Sequence, residues 1–150
     1  ANESELKELA SDVRSIDFAG WVNAAQIHSA LNLADIGIAP YIESNNYTNN
    51  IPNKPAEYMA GGLGVITSLR SGLLPELLVS TGAGATYQTS HDLLSLLEGL
   101  VAEPAKLATM KECATKVFVD RFDSRVVYGG FADYLEEMVA RGAHQDDKAG

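Results

Sequence analysis

The sequence is poor in cysteine and in basic residues, and it has no long apolar run. Its 150 residues include one cysteine, and 11 Lys and Arg residues stand against 20 Asp and Glu residues, for a net charge of −9. A single cysteine cannot form an internal disulfide and fits a reducing cytoplasm. The shortage of basic residues argues against a nucleic-acid or anionic membrane surface, because both need clustered positive charge. Without about 18 consecutive apolar residues, we expect no membrane span.

Apolar spacing and turn-forming residues predict a chain that alternates helix and strand. A length of 150 residues fits one domain, large enough to bury about 70% of the surface that the unfolded chain exposes. Helices are predicted between the strands, the first of these with a capping box of Asn23 and Gln26, and three more follow, the first of them capped by Ser90. The economical fold for this alternation is α/β, with a parallel sheet of about four strands joined by crossover helices. The predicted strands cover residues 15–19, 36–39, 63–67 and 85–87.

The most informative segment is residues 52–68, which read PNKPAEYMAGGLGVITS. Pro52 fits the first turn of a helix, where a missing N–H costs nothing, and Asn50 just before it could accept from the free amides. The pair Gly61 and Gly62 then ends the helix. The short apolar run that follows is typical of a buried parallel strand. The start of such a helix would stabilise an anion.

This segment resembles the pattern P-x-K-x-x-E-Y-M-A-x-G-x-P-V-I in the carboxyl-terminal domains of family 4 glycosyltransferases. Those enzymes have two Rossmann-like domains, the GT-B fold. Gly64 stands where the pattern has proline, and the resemblance continues in IDFAGWV at residues 16–22 and ADIGIAP at residues 34–40. It covers most of the chain. The matching residues are Pro52, Lys54, Glu57, Tyr58, Met59, Ala60, Gly62, Val65 and Ile66.

The resemblance implies that the predicted sheet is Rossmann-like and belongs to a partial carboxyl-terminal domain. Residues 1–143 would form this nucleotide-sugar-binding domain, incomplete at its amino terminus, and residues 144–150 a disordered tail. The amino-terminal domain of the same enzyme would then be a partner, and the chain alone is expected to be inactive. The complete enzyme would be cytoplasmic or peripheral to a membrane.

The activity implied by the resemblance is transfer of a hexose or similar sugar from a nucleoside-diphosphate sugar to a glycan, lipid or small acceptor, as in glycan biosynthesis. No cofactor or metal is expected, because the histidines are scattered and no D-x-D motif is present. The sequence identifies no catalytic residue. Two alternatives stay open: a nucleotide-sugar epimerase of similar architecture, and a non-catalytic nucleotide-binding module.

Glu57 is the first candidate for donor binding. The resemblance implies that its carboxylate accepts hydrogen bonds from the ribose hydroxyls. The alternative is a solvated glutamate in the first turns of a helix, where the helix dipole favours it. Lys54 lies three residues earlier on the same helical face, so it either pairs with Glu57 or contacts the diphosphate together with the helix amino terminus.

Asn49 occupies a position where the family often carries a second acidic residue that contacts the donor sugar. An asparagine can donate to and accept from sugar hydroxyls, but it carries no negative charge. Glu43 could substitute for that charge, or be a solvated loop carboxylate. We expect residues 45–50, which include Asn49 and Asn50, to form a loop of sugar-contacting amides and hydroxyls.

Gly20 and Val22 follow the first predicted strand, on the side where ligands bind in open parallel sheets. The resemblance implies that the main chain around Val22 contacts the nucleobase. Trp21 between them could stack on the base or pack in the core, and core packing is the preferred interpretation.

Overall fold

The computed structural model describes the backbone of residues 3–146 and the side chains of residues 3–141. Within this range, helices and strands alternate through the first two thirds, and three helices follow. The elements are α1 (Glu3–Leu9), α2 (Ala24–Leu33), β1 (Ile36–Ala39), α3 (Asn45–Thr48), α4 (Asn53–Ala60), β2 (Gly64–Thr67), α5 (Leu73–Thr81), β3 (Gly84–Thr86), α6 (Ser90–Ala102), α7 (Pro104–Arg121) and α8 (Ser124–Asp146).

The three strands form one parallel sheet in the order β1, β2, β3. Ile36 of β1 pairs with Gly64 of β2, and Val65 of β2 pairs with Gly84 of β3. The prediction of an α/β fold with a parallel sheet is confirmed, and each of these strands lies within one residue of its predicted bounds. Because all strands are parallel, their carboxyl ends lie at one edge of the sheet.

The strand predicted at residues 15–19 is wrong. That segment has no strand structure, so the described sheet has three strands where about four were predicted. Ile16 and Phe18 alternate with polar residues as in a strand, yet their side chains are 48% and 39% exposed. A strand forms only where its backbone groups bond to a neighbour, and no ladder bonds join this segment to β1 in the described part of the chain.

Strand β2 is covered on both faces. Val65 packs in a cluster with Met59 of α4, Leu74 of α5 and Ala114 of α7. Its neighbour Ile66 points to the opposite face and packs in a second cluster formed with α6 and the first half of α7. Helix α7 thus contributes to both clusters and contacts α4, α5, α6 and β2. By contrast, no residue of α1 or α2 is buried.

Two helix ends follow the predicted chemistry. Asn23 and Gln26 form a reciprocal capping box at the start of α2, with N···O distances of 2.9 and 3.0 Å. At the end of α4, Gly62 takes φ +74°, and the Leu63 N–H donates to the Tyr58 carbonyl oxygen at 3.0 Å. This Schellman turn directs the chain from α4 into β2.

The cap predicted for α6 is wrong by one residue. Thr89, not Ser90, is the N-cap, because Asp92 three residues later accepts from the Thr89 N–H while the Thr89 hydroxyl accepts from the Asp92 N–H. A cap at Ser90 would place Leu93 three residues later, and leucine has no side-chain atom that could accept from the Ser90 N–H.

Helix α8 reaches Asp146, past the domain boundary predicted at residue 143. The rest of the predicted tail, residues 147–150, lies outside the described residues. None of the helices in the described range is both long and apolar enough to cross a membrane.

Thr67 is a buried polar side chain at the end of β2, and we predict that Thr67→Val destabilises the fold. Its hydroxyl donates to the Ala39 carbonyl oxygen at 3.0 Å and accepts from the Leu69 N–H at 3.3 Å. Valine keeps the shape but leaves the Leu69 N–H without this acceptor, so we expect unfolding free energy to fall by about 1–3 kcal/mol. Urea unfolding followed by circular dichroism measures the loss.

Thr109→Val is the matched control, because the exposed Thr109 hydroxyl bonds only within its own helix, to the Ala105 carbonyl oxygen. We expect this change to stay within about 0.5 kcal/mol. Equal losses in the two variants would contradict a special role for the Thr67 hydroxyl.

Candidate functional site

The carboxyl edge of the sheet brings together two loops. The β1–α4 loop (residues 40–52) follows β1 and contains the single turn α3, and the β2–α5 loop (residues 68–72) follows β2. Ligands in open parallel sheets bind at this edge. The loop predicted to contact the sugar and the start of α4 therefore lie where such a fold has its binding crevice.

Helix α4 begins without a side-chain cap. Pro52, predicted in the first turn, is instead the N-cap residue and makes no side-chain capping hydrogen bond. The predicted cap by Asn50 is wrong, because no side chain accepts from the start of α4, and the Asn50 amide nitrogen donates to Asn46 Oδ1 at 3.4 Å. Asn46 lies in the turn α3 and Asn50 comes four residues later, just past the end of that turn.

Two backbone donors stay open at the start of α4. The N–H groups of the N-cap residue and of the next three residues have no partner within a helix. In α4 two of these four residues are prolines, Pro52 and Pro55, so only Asn53 and Lys54 have such an N–H group. Neither donates a hydrogen bond to the described part of the chain. These donors and the positive end of the helix dipole can bind an anion.

Lys54 and Glu57 are both exposed and are not paired with each other. Among the described side chains, neither residue takes part in an ion pair. The geometry therefore gives no support to the interpretation of a helix salt bridge. Both charges are free to meet a ligand.

Two tyrosines, Tyr58 and Tyr41, lie near Glu57, and a third, Tyr47, stacks on Tyr41. The rings of Tyr41 and Tyr47 stack with centroids 4.7 Å apart, and both rings pack against the core beside Tyr58. Burial raises the pKa of Tyr58, and the negative charge of Glu57 raises it further. Burial is also the main cause of the raised pKa of Tyr41, with Tyr58, Tyr47 and Glu57 adding to it. Neutral phenols therefore adjoin the Glu57 carboxylate.

The position of Tyr58 depends on Gly37 in β1. A Cβ atom built on Gly37 would overlap the Tyr58 ring and would lie 2.8 Å from Tyr58 Cβ. Only glycine leaves room for this ring against the strand. The packing of Tyr58 on β1 fixes the adjacent turn of α4, which carries Glu57.

Asn49 follows the turn α3 and is exposed. Its N–H donates to the Asn45 carbonyl oxygen at 3.3 Å, and its side-chain amide makes no hydrogen bond in the described structure. The Glu43 carboxylate accepts from the Arg70 N–H at 3.2 Å. Glu43 is thus engaged in holding the two loops together, whereas the amide of Asn49 is free.

Gly20 and Val22 lie in the segment that precedes α2, before the β1–α4 loop along the chain. Gly20 takes φ +62° and lines an open cleft of about 380 Å³ with Phe18 and Trp21, a cleft that no residue of the β1–α4 loop borders. The described structure joins neither Gly20 nor Val22 to Glu57 by a hydrogen bond or ring contact. Core packing of Trp21 is wrong, because its side chain is 103% exposed, as no neighbouring element covers it.

Neither a role for Tyr41 nor the contact between Gly37 and Tyr58 was predicted from the sequence. A glycine inside a strand signals close approach of another group, so Gly37 could have indicated this contact. Within the described side chains, no group of three His, Cys, Asp or Glu residues could hold a metal ion. Cys113 is partly buried and packs against the core, as a small hydrophobe does.

Comparison with known proteins gives one family. The family model for 'Glycosyl transferases group 1' matches residues 1–103. A search of curated proteins finds no match. The matched range includes β1, β2 and β3 and all six residues predicted to bind the donor, and it ends before α7 begins.

We predict that Glu57→Gln lowers the pKa of Tyr58 part of the way toward its ordinary value. The substitution removes a nearby negative charge, which opposes ionisation of the phenol, but leaves the larger effect of burial. The pH dependence of tyrosinate ultraviolet absorbance measures the change, and Tyr58→Phe assigns the signal among the six tyrosines.

Lys54→Gln is the control on the same helical face, because Lys54 is not among the charges that shift either phenol. An identical Tyr58 titration with and without the Glu57 charge would contradict the proximity of the two groups.

Proposed function

We propose that this chain, which belongs to the group 1 glycosyl transferases, is the donor-binding part of an enzyme that transfers a sugar from a nucleoside diphosphate to an acceptor. The observation that carries the proposal is the placement of an unpaired Glu57 carboxylate beside the uncapped start of α4, at the carboxyl edge of a parallel sheet. The family favours sugar transfer over epimerisation.

In this proposal, Glu57 accepts hydrogen bonds from the two ribose hydroxyls of the donor. A carboxylate offers two acceptor oxygens, and charge-assisted bonds of this kind are stronger than neutral ones. The contacts around Glu57 support the role. The nearby phenols of Tyr41 and Tyr58 stay neutral, and no cation in the described chain neutralises the carboxylate. Its acceptor capacity is therefore available to a ligand.

The diphosphate would lie at the start of α4. The N–H groups of Asn53 and Lys54 are open donors, and the exposed Lys54 ammonium adds a positive charge on the same helical turn. Fixed donors of this kind stabilise negative charge as it develops on the leaving diphosphate. This arrangement provides anion stabilisation from the chain itself, without a metal or cofactor.

Asn49 and Asn50 would face the donor sugar, and Gly20 with Val22 would contact the base. The free side-chain amide of Asn49 can bond to sugar hydroxyls. The acceptor, a glycan, a lipid or a small molecule, would be bound largely by an amino-terminal domain of the complete enzyme, which would act in the cytoplasm. Transfer then depends on the two parts holding donor and acceptor in line.

We predict that Glu57→Ala in the complete enzyme lowers kcat/KM for the donor at least about tenfold. Losing two charge-assisted hydrogen bonds at about 1.5–3 kcal/mol each accounts for at least this loss. Steady-state kinetics with the sugar nucleotide, together with thermal unfolding to confirm the fold, provide the test.

Glu112→Ala is the matched control, because Glu112 is an exposed carboxylate on α7 with no ion pair in the described structure. Its kinetics should equal those of the wild type. An unchanged rate in Glu57→Ala would remove Glu57 from the site.

A further prediction separates sugar binding from nucleotide binding. Asn49→Ala should lower turnover of the sugar nucleotide by about two- to tenfold for each hydrogen bond lost. It should leave the Kd of the free nucleoside diphosphate nearly unchanged, because that ligand has no sugar for Asn49 to contact.

Calorimetric titration and steady-state kinetics provide the two measurements. Asn32→Ala on α2 is the control, since the Asn32 amide contacts only His28 of its own helix. Equal effects of Asn49→Ala on both ligands would assign Asn49 to loop structure.

A further inference from the structure

We propose that Ser68 and Gly72, on the β2–α5 loop, are positioning residues of the donor site. They hold the β1–α4 loop in the conformation that presents Asn49 to the donor sugar. This inference rests on the proposed function, and neither residue is taken to touch the ligand itself.

Hydrogen bonds attach the beginning of the β1–α4 loop to the β2–α5 loop. The Ser68 hydroxyl donates to the Tyr41 carbonyl oxygen at 2.7 Å, and the Arg70 N–H donates to Glu43 Oε1 at 3.2 Å. Ser68 is half-buried, so its bond is shielded from water. These contacts fix residues 41–43 but do not reach the turn α3.

Gly72 makes the contact at the far end of the loop. A Cβ atom there would overlap the Thr48 carbonyl oxygen and would lie 2.7 Å from Thr48 Cα. Because the atoms in contact belong to the backbone, no side-chain rotation could relieve the overlap. Thr48 is the last residue of α3 and directly precedes Asn49. The position of Asn49 is therefore set against the Gly72 backbone.

The backbone of Gly72 also requires glycine. Its φ of 100° and ψ of −174° lie in a region that L side chains rarely adopt. The overlap would be relieved by moving the two loops apart, and the strain by rotating the backbone of residue 72, which itself shifts the β2–α5 loop. Any side chain at this position should therefore displace α3 and Asn49.

Helix α4 is anchored independently of this contact. Its buried residues Pro55 and Met59 pack toward the core, and Met59 shares a cluster with Ala114 and Val117 of α7. Glu57 should keep its place when the β1–α4 loop moves. Displacement of the β1–α4 loop should therefore weaken the contacts to the donor sugar, which depend on that loop. The contacts to the nucleotide should remain, because they depend on α4.

The experiment compares Gly72→Ala with Gly82→Ala in the complete enzyme. The two glycines flank the same helix, α5, and both have positive φ, but a Cβ at Gly82 meets only Cys113 Sγ at an ordinary 3.6 Å. Gly82→Ala therefore controls for an alanine at positive φ next to α5 without contact to the loop, although its left-handed helical backbone (ψ 9°) strains alanine less than that of Gly72 (ψ −174°). Kinetics with the sugar nucleotide, titration with the free nucleoside diphosphate and hydrogen exchange of amides 45–50 are measured for each.

We expect Gly72→Ala to lower kcat with the sugar nucleotide at least about fivefold and to speed hydrogen exchange at residues 45–50. Its Kd for the free nucleoside diphosphate should stay within about twofold of the Gly82→Ala value, since α4 is held elsewhere. Unchanged turnover and exchange would overturn the inference, as would equal losses in nucleotide binding and turnover.

Ser68→Ala tests the same positioning role if Gly72→Ala does not fold. It removes one hydroxyl without backbone strain, and we expect a smaller loss of turnover in the same direction, with faster exchange at residues 41–48. Ser80→Ala, which removes a part-buried hydroxyl bond inside α5, is its control. Equal behaviour of the two serine variants would overturn the inference.

Failure of the two proposals can be told apart with the wild-type enzyme. A wild type that binds nucleoside diphosphates and transfers sugar, with loop variants that behave like their controls, would overturn only the positioning role. A wild type that binds no nucleoside diphosphate would overturn the proposed function, and the inference with it.

Discussion

Strand β2 is buried on both faces and hydrogen-bonded to a neighbour along each edge, so every group on it must be satisfied within the fold. Val65 and Ile66 meet this constraint by being apolar, and Thr67 meets it by bonding its hydroxyl to the backbone of β1 and of its own loop. Polar groups with unfilled hydrogen-bonding capacity can appear only where the strand ends. The carboxyl edge is such a place, and the candidate site lies there for this reason.

The burial of β2 also depends on helix α7, which lies outside the part of the chain that the family model matches. It lies outside residues 1–103, yet Met110, Ala114 and Val117 complete the two clusters that cover β2. Met59 of α4 is fully buried in one of these clusters. Glu57 lies two residues before Met59 on α4. The packing of Met59 against α7 therefore helps to fix the orientation of Glu57, although α7 carries no candidate site residue. A core substitution in α7 would reach the site through this packing.

Elements with local signals could be predicted from the sequence, and elements that depend on distant partners could not. The capping box of Asn23 and Gln26 and the glycines that end α4 are read from residues within one turn. The strand at residues 15–19 has the alternation of a strand but lacks a paired neighbour in the described fold. Trp21 was assigned to the core because it is large and apolar, but its burial requires an element to cover it. The stacking of Tyr41 on Tyr47 depends on the course of a loop, which no periodic pattern encodes.

The charge of the chain limits how the proposed site could recognise a donor. A net charge of −9 repels a nucleoside diphosphate at long range, although salt screens this repulsion beyond about 8 Å under physiological conditions. The proposed binding would therefore depend on contacts of short range. The start of α4 offers such contacts through two open N–H groups and Lys54, while the phenols of Tyr41 and Tyr58 near Glu57 stay neutral. Because short hydrogen bonds lose strength steeply with misplacement, recognition of this kind depends on loops held in place more than on net charge. A glycine packed against the loop backbone satisfies that requirement without adding charge to the site.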